Sequence, residues 1–216
     1  MGGDGVPLEG GGAGTTPIIP DDGPGDGILP ADLADFDPTF DPLAAKRPKY
    51  DLTACSGRPN EVVYGAVAPA SPEAVAEWAG HLQDAGIERL LGLFPAEALT
   101  RVSPDGKPQG YVAALAAAGF DASRVGLMDP HTPGARDAAL ELVRQAVETE
   151  ERICVHCHDG NEYTAVLLAD WVLTDYIGGA NCLEACSALA ARKRLSGVGR
   201  IADADVLERF RDQGHL

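Results

Sequence analysis

Between about residues 50 and 212, short apolar runs rich in branched side chains alternate with stretches whose apolar residues recur every three or four positions. That alternation limits the fold more than any other feature of the chain. Val62 to Ala66 reads as a strand. Ser71-Pro72-Glu73 opens a helix: Ser caps, Pro fits the first turn and Glu meets the positive dipole end. Val75, Trp78, Ala79 and Leu82 follow at helical spacing until Gly86 closes the helix. Ile87 to Phe94 predicts a buried strand, Tyr111 to Ala118 an Ala-rich helix ended by Gly119, and Val125 to Met128 a third strand. Asp137 to Thr149 is an amphipathic helix with Leu140, Leu142, Val143 and Val147 inward, and Ile153 to His156 a fourth strand. Helices near 163–177, 181–194 and 203–212 follow. Strands that alternate with helices need crossover connections, so the expectation is an α/β domain with a short, mostly parallel central sheet flanked by helices. About 165 residues can bury one sound core.

The first 50 residues lack this pattern. They hold 10 Gly, 8 Pro and 9 acids against 3 bases, too little apolar surface to offset the entropy of ordering. The expected organisation is a disordered acidic tail over 1–45 and one domain over 50–214. Phe36 and Phe40 sit in an acidic, Pro-punctuated run, for which a solvated linker is a simpler reading than a docking segment. The net charge of −16 argues against a nucleic-acid partner, because neutralising phosphates needs clustered Lys and Arg. No apolar stretch is long enough to span a membrane. The first 30 residues lack a basic start and an apolar core, so no secretory signal is expected and the cytoplasm is the expected compartment. Five cysteines, an odd number without an export signal, do not suggest a disulfide framework.

The chemistry concentrates in Ile153-Cys154-Val155-His156-Cys157-His158-Asp159-Gly160-Asn161-Glu162-Tyr163-Thr164. A strand ending at His156 passes through a loop into a helix that begins near Tyr163. In α/β folds this junction binds anions, because free N–H groups of the loop and helix start point inward. A cysteine at the start of the loop lies under the helix dipole, which favours the thiolate. Gly160 supplies a backbone angle that a side chain resists. Thr164 can donate its hydroxyl to the sulfur. A thiolate in an anion-binding loop suits nucleophilic attack on phosphorus.

His156-Cys157, five residues, then Tyr163-Thr164, with Gly160 third among the five, resembles the signature loop of cysteine-dependent protein phosphatases of the dual-specificity and tyrosine type. Pro59 to Gly65 is similar to the first strand of that family and Ala85 to Leu90 to its second. Leu127-Met128-Asp129-Pro130-His131 resembles its general-acid loop, with Asp129 lying 28 residues before Cys157. The resemblance spans roughly 55–200. It implies a protein-tyrosine-phosphatase-like fold, Cys157 as nucleophile and Asp129 as general acid and base. It further implies a phosphate-binding set of His158, Asp159, Gly160, Asn161, Glu162, Tyr163 and Thr164, supported by His156. The implied partner is a phosphorylated protein or a small phosphate ester, with no cofactor and no metal.

One position departs from the pattern: the signature Arg is replaced by Tyr163. A guanidinium fork binds phosphate bidentately and stabilises the transition state, whereas a phenol offers one donor and no charge. Asp159 and Glu162 add two carboxylates to a loop meant for a dianion and oppose the Cys157 thiolate, which His158 offsets only when protonated. The preferred expectation is therefore a catalytically impaired member, a pseudophosphatase that binds a phosphoprotein or anion. The alternative is an active phosphatase, with charge supplied by Arg136, Arg192, Lys193, Arg194 or Arg200; surface roles for these five are the simpler reading.

Other motifs carry less. Cys154-Val155-His156-Cys157-His158 fits a c-type haem attachment pattern, but inside an apolar strand and without an export signal. Cys154, Cys157, Cys182 and Cys186 at their spacings fit a zinc-binding structural module, against which stands ordinary burial of cysteine. Trp78 and Trp171 read as core anchors, His81 as a helix residue, His131 as a turn residue or substrate contact, and Asp170 and Asp175 as solvent-facing.

Overall fold

The computed structural model describes residues 48–55, 61–176, 181–195 and 198–215. The expected tail, Phe36 and Phe40 included, lies outside the described residues, as do Pro59 and Asn60. Among the described residues five strands form one sheet: β1 (Thr53–Ala54), β2 (Val63–Val67), β3 (Arg89–Leu93), β4 (Val125–Met128) and β5 (Ile153–Cys157), in the order β1-β2-β5-β3-β4. β5 is central and pairs in parallel with β2, Val63 opposite Ile153 and Val67 opposite Cys157, and with β3, Arg89 opposite Ile153 and Gly92 opposite His156. Among these described strands only the two-residue edge strand β1 runs antiparallel. A pair of residues shows no alternation, which is why the sequence gives no sign of β1.

The helices are α1 (Val75–Asp84), α2 (Pro108–Ala117), α3 (Ala135–Glu148), α4 (Glu162–Trp171), α5 (Cys182–Leu195) and α6 (Ala204–Gln213). Side chains of β5 alternate between two cores, as a strand buried on both faces requires. Ile153, Val155 and Cys157 enter the larger core with α3, α4, α5 and α6, whereas Cys154 enters the smaller one with α1 and α2. Trp78 and Trp171 are buried anchors of the two cores, and Val75, Ala79 and Leu82 face inward as their spacing predicts. Ser71 does not cap. α1 is entered through a 3-10 turn at Pro72–Ala74, and the Ser71 side chain is drawn to the Glu73 carboxylate instead. Among the described residues no helix is long and apolar enough to cross a membrane.

Asp170 departs from expectation. It is fully buried and clamped by Arg136 of α3, Nε to Oδ2 2.6 Å, and by Arg211 of α6, Nε to Oδ1 3.3 Å. Every residue of α4 from Thr164 to Trp171 is buried, so a carboxylate there needs charged partners. Arg136 is thereby committed to holding α3 against α4. The side chains of Asp175, Arg192, Lys193 and Arg194 lie outside the described set.

Candidate active site

β5 carries one residue more than its apolar pattern predicts and ends on Cys157; α4 begins at Glu162. Four residues, 158–161, turn the chain between them. The turn depends on Gly160, which sits at φ +70°, where a Cβ would lie 2.9 Å from Val67 Cγ2 and 3.0 Å from the Ala66 carbonyl oxygen. Beneath the turn lies Arg200, 1% exposed. Its Nε donates to the Gly160 carbonyl at 2.6 Å, Nη1 to Thr53 Oγ1 at 3.2 Å and Nη2 to the Asp51 carbonyl at 3.3 Å. Gly65 makes room for it: a Cβ there would stand 2.5 Å from Nη1. Burial pulls the Arg200 pKa down, while Cys154, Cys157 and Asp51 nearby act the other way. This guanidinium braces the loop from below and is not a cation open to ligand at the loop mouth.

Cys157 is fully buried. Burial pushes its thiol up and the Asp159 carboxylate adds to the rise; the Thr164 hydroxyl and the backbone N–H groups of Thr164 and Tyr163 pull against them without prevailing. The helix start thus works in the expected direction, but desolvation outweighs it and the resting sulfur is a thiol. Its Sγ lies 3.4 Å from Asp159 Oδ1 and donates to it. The same oxygen accepts from the N–H of Asn161 at 2.8 Å and of Glu162 at 3.1 Å. Burial works to raise the Asp159 carboxyl, but these two N–H groups and the thiol hold it below its ordinary range.

Tyr163 turns toward the loop after β4. Its hydroxyl stands 3.3 Å from His131 Nε2, and the two rings meet edge to face with centroids 5.6 Å apart. Burial, then Glu162, pushes the Tyr163 pKa up to about 12, so the side chain is a neutral phenol. Asp129 Oδ1 accepts from the His131 N–H at 2.9 Å. Asp129 and Cys157 thus follow or end parallel strands at the same C-terminal end of the sheet, and the Tyr163–His131 contact joins their loops. Beside that contact lies a cleft of about 240 Å³ walled by His131, Glu162, Tyr163, Arg209 and His215.

Arg101, which sequence reasoning missed, contacts His158 Nε2 through Nη1 from the 3-10 turn Ala98–Arg101. The one sequence signal for it is position: it lies in the connection leaving the C-terminal end of a parallel strand, where such sheets place ligand-binding groups. His156, expected to support the loop, faces the other core. It is packed against Trp78, Phe94 and Tyr111 and bonded through Nε2 to the Tyr111 hydroxyl at 3.1 Å. Burial lowers its pKa from 6.5 to about 4. A depressed folded pKa gives stability that is present above 6.5 and is lost as pH falls toward 4. The loss is about 3 kcal/mol at 1.36 kcal/mol per pKa unit. Urea unfolding at pH 7.5 and pH 4.5 checks this: His156→Gln is expected to lose about 3 kcal/mol less than wild type across that interval, and an equal loss would contradict it.

The four-cysteine zinc reading does not survive the fold. Cys154 lies in the core on one face of the sheet and Cys157, Cys182 and Cys186 in the core on the other. Burial and packing account for Cys154, Cys182 and Cys186. Among the described residues no three His, Cys, Asp or Glu converge in a way that could hold a metal ion.

Residues 64–176, more than half of the chain, match the family model Tc-R-P, described as "polymorphic toxin system, DSP-PTPase phosphatase". No curated protein matches. Among solved structures, kinase-associated phosphatase with its catalytic-site cysteine replaced by serine is similar at 16% identity and a TM-score of 0.53, covering 72% of this chain and 90% of that one. Tk-PTP in its active form is 16% identical over 75% of this chain and 95% of its own, with a TM-score of 0.47. TpbA of P. aeruginosa in complex with pTyr is 18% identical over 78% and 96%, with a TM-score of 0.43.

Proposed function

Because the chain belongs to the Tc-R-P family of polymorphic toxin system DSP-PTPase phosphatases, we propose that loop 157–164 binds the phosphate group of a phosphorylated protein or small phosphate ester and turns it over poorly. The observation that carries this reading is Tyr163, a neutral phenol engaged with His131 where the family signature has a guanidinium. Backbone N–H groups of the helix start and the Cys157 sulfur offer a phosphate a place. Position 163 itself does not supply the charge that would stabilise three equatorial oxygens as the bond to the leaving group breaks. The protonated resting sulfur and the Asp159 carboxylate beside it lower reactivity further. By analogy with the pTyr bound to TpbA, and given the cleft beside Tyr163, an aryl phosphate is the ligand to try first. The description of the family model matched by residues 64–176 names a polymorphic toxin system, and we read this phosphatase-like domain as a component of such a system.

An active phosphatase is the second reading, favoured by Arg101 at the loop. In it the Cys157 thiolate attacks phosphorus while Asp129 protonates the leaving oxygen, and Asp129 then activates water to hydrolyse the phosphocysteine. Such acid and base assistance is worth about 10²–10⁴-fold. Steady-state hydrolysis of an aryl phosphate by wild type, Cys157→Ser and Arg101→Ala separates the readings. Impaired turnover predicts that wild type stays within about tenfold of Cys157→Ser while still binding a phosphotyrosine peptide. Robust turnover that Cys157→Ser and Arg101→Ala both abolish would overturn it.

A further inference from the structure

We propose that the Asp159 carboxylate is the resting occupant of the oxyanion cradle, so that a phosphate group binds by displacing it. The proposal rests on the reading of loop 157–164 as a phosphate site and adds how that site is closed at rest. A helix start offers four N–H groups without intrahelical partners. Here two of them, those of Asn161 and Glu162, are taken by Asp159 Oδ1. The carboxylate oxygen also receives the thiol proton, at 3.4 Å. An anion of the protein's own thus stands against the sulfur on the donors an incoming phosphate would use.

A second observation lies on the other side of the sulfur. Thr164 is fully buried, and its hydroxyl oxygen has no hydrogen-bond partner, although it is near enough to favour the thiolate. A buried hydroxyl left idle is costly. The idleness follows from the resting arrangement: a sulfur that is protonated and donating to Asp159 is a poor acceptor for Thr164. When the carboxylate leaves and the thiol proton passes to solvent, the thiolate becomes the acceptor that Thr164 lacks. Asp159 is itself exposed, so the carboxylate can swing into water. Closed and open arrangements therefore differ in three linked groups: where Asp159 points, whether Cys157 carries its proton, and whether Thr164 donates.

The test uses the full chain and tungstate as the phosphate probe. Asp159→Ala removes the carboxylate, and Asp159→Ser removes it while keeping an oxygen able to cap α4. Both are expected to bind tungstate at least about tenfold more tightly than wild type by calorimetry. Both are also expected to lower the pH midpoint of thiolate absorbance at 240 nm, each measured against its own Cys157→Ser counterpart. Equal tungstate affinity and an unmoved midpoint in Asp159→Ser, with melting temperature preserved, would overturn the proposal and leave the phosphate-site reading intact. No tungstate binding in any variant, Tyr163→Arg included, would overturn that reading and the proposal with it.

Discussion

Tyr163→Arg raises kcat/KM on an aryl phosphate by about 10²-fold or more over wild type. The magnitude follows from what one preorganised donor is worth to a charged transition state, about 10²–10³ in rate, and a guanidinium adds a second donor and a full charge. The site is prepared for it: position 163 lies one residue inside α4, half-buried, next to a helix start whose Asn161 and Glu162 N–H groups already gather an anionic oxygen beside the sulfur. Two features limit the gain. Asp159 and Glu162 flank the position and will pair with the new cation, so Tyr163→Arg combined with Asp159→Ser exceeds the product of the single effects, as residues in one network do. Losing the edge contact to His131 also frees the loop that carries Asp129. Tyr163→Phe separates charge from shape and leaves turnover nearly unchanged. Wild-type turnover already at an efficient level, and unaltered by Tyr163→Arg, would contradict this account.

Arg200→Met unfolds or strongly weakens the domain, by about 3 kcal/mol or more, and with it any anion binding. The side chain donates to three oxygens, on Gly160, Thr53 and Asp51, and burial denies those acceptors water once the donor is gone. Each hydrogen bond from a charged donor is worth about 1.5–3 kcal/mol, and orphaned partners add their desolvation cost. The effect is directional as well as large. Gly160 is the one residue of the loop tied to the floor by Arg200, so its release frees the N–H groups around Cys157 to rearrange. Arg200→Lys keeps the charge but reaches one acceptor where the fork reaches three. It is expected to fold, with a lower melting temperature and weaker tungstate binding than wild type. Differential scanning calorimetry paired with calorimetric titration reads both; a melting temperature unchanged in Arg200→Met would remove the bracing role.

Much of this fold is written locally. Strands β2 to β5 each carry a run of branched apolar residues. β5 to α4 reads through directly, because a strand, a Gly turn and a helix start are all short-range patterns. The chain's membership of a phosphatase family was legible there too, in His156, Cys157, Gly160 and Thr164 together. What escaped the sequence is what the tertiary fold brings together. Arg200 is 40 residues from Gly160 and 147 from Thr53, so nothing local marks it as the floor of the loop rather than a surface charge. Arg101 reaches His158 across 57 residues. Asp170 interrupts an apolar stretch, Ala165 to Leu173, and reads as solvent-facing until α3 and α6 close over it with Arg136 and Arg211. His156 follows from alternation along β5, yet its aromatic neighbours come from α1, α2 and the residue after β3. The Asp159 carboxylate was legible as an unfavourable charge in the loop; its place against the sulfur was not, because that depends on a side-chain torsion.

A crystal of the wild-type protein soaked in tungstate tests the central claim most directly. The account predicts one tungstate centred over Cys157 Sγ, received by the N–H groups of Asn161, Glu162, Tyr163 and Thr164, with Asp159 turned out to solvent and no guanidinium closing the ring from above. An empty loop, with Asp159 still seated against the sulfur at saturating tungstate, would contradict it.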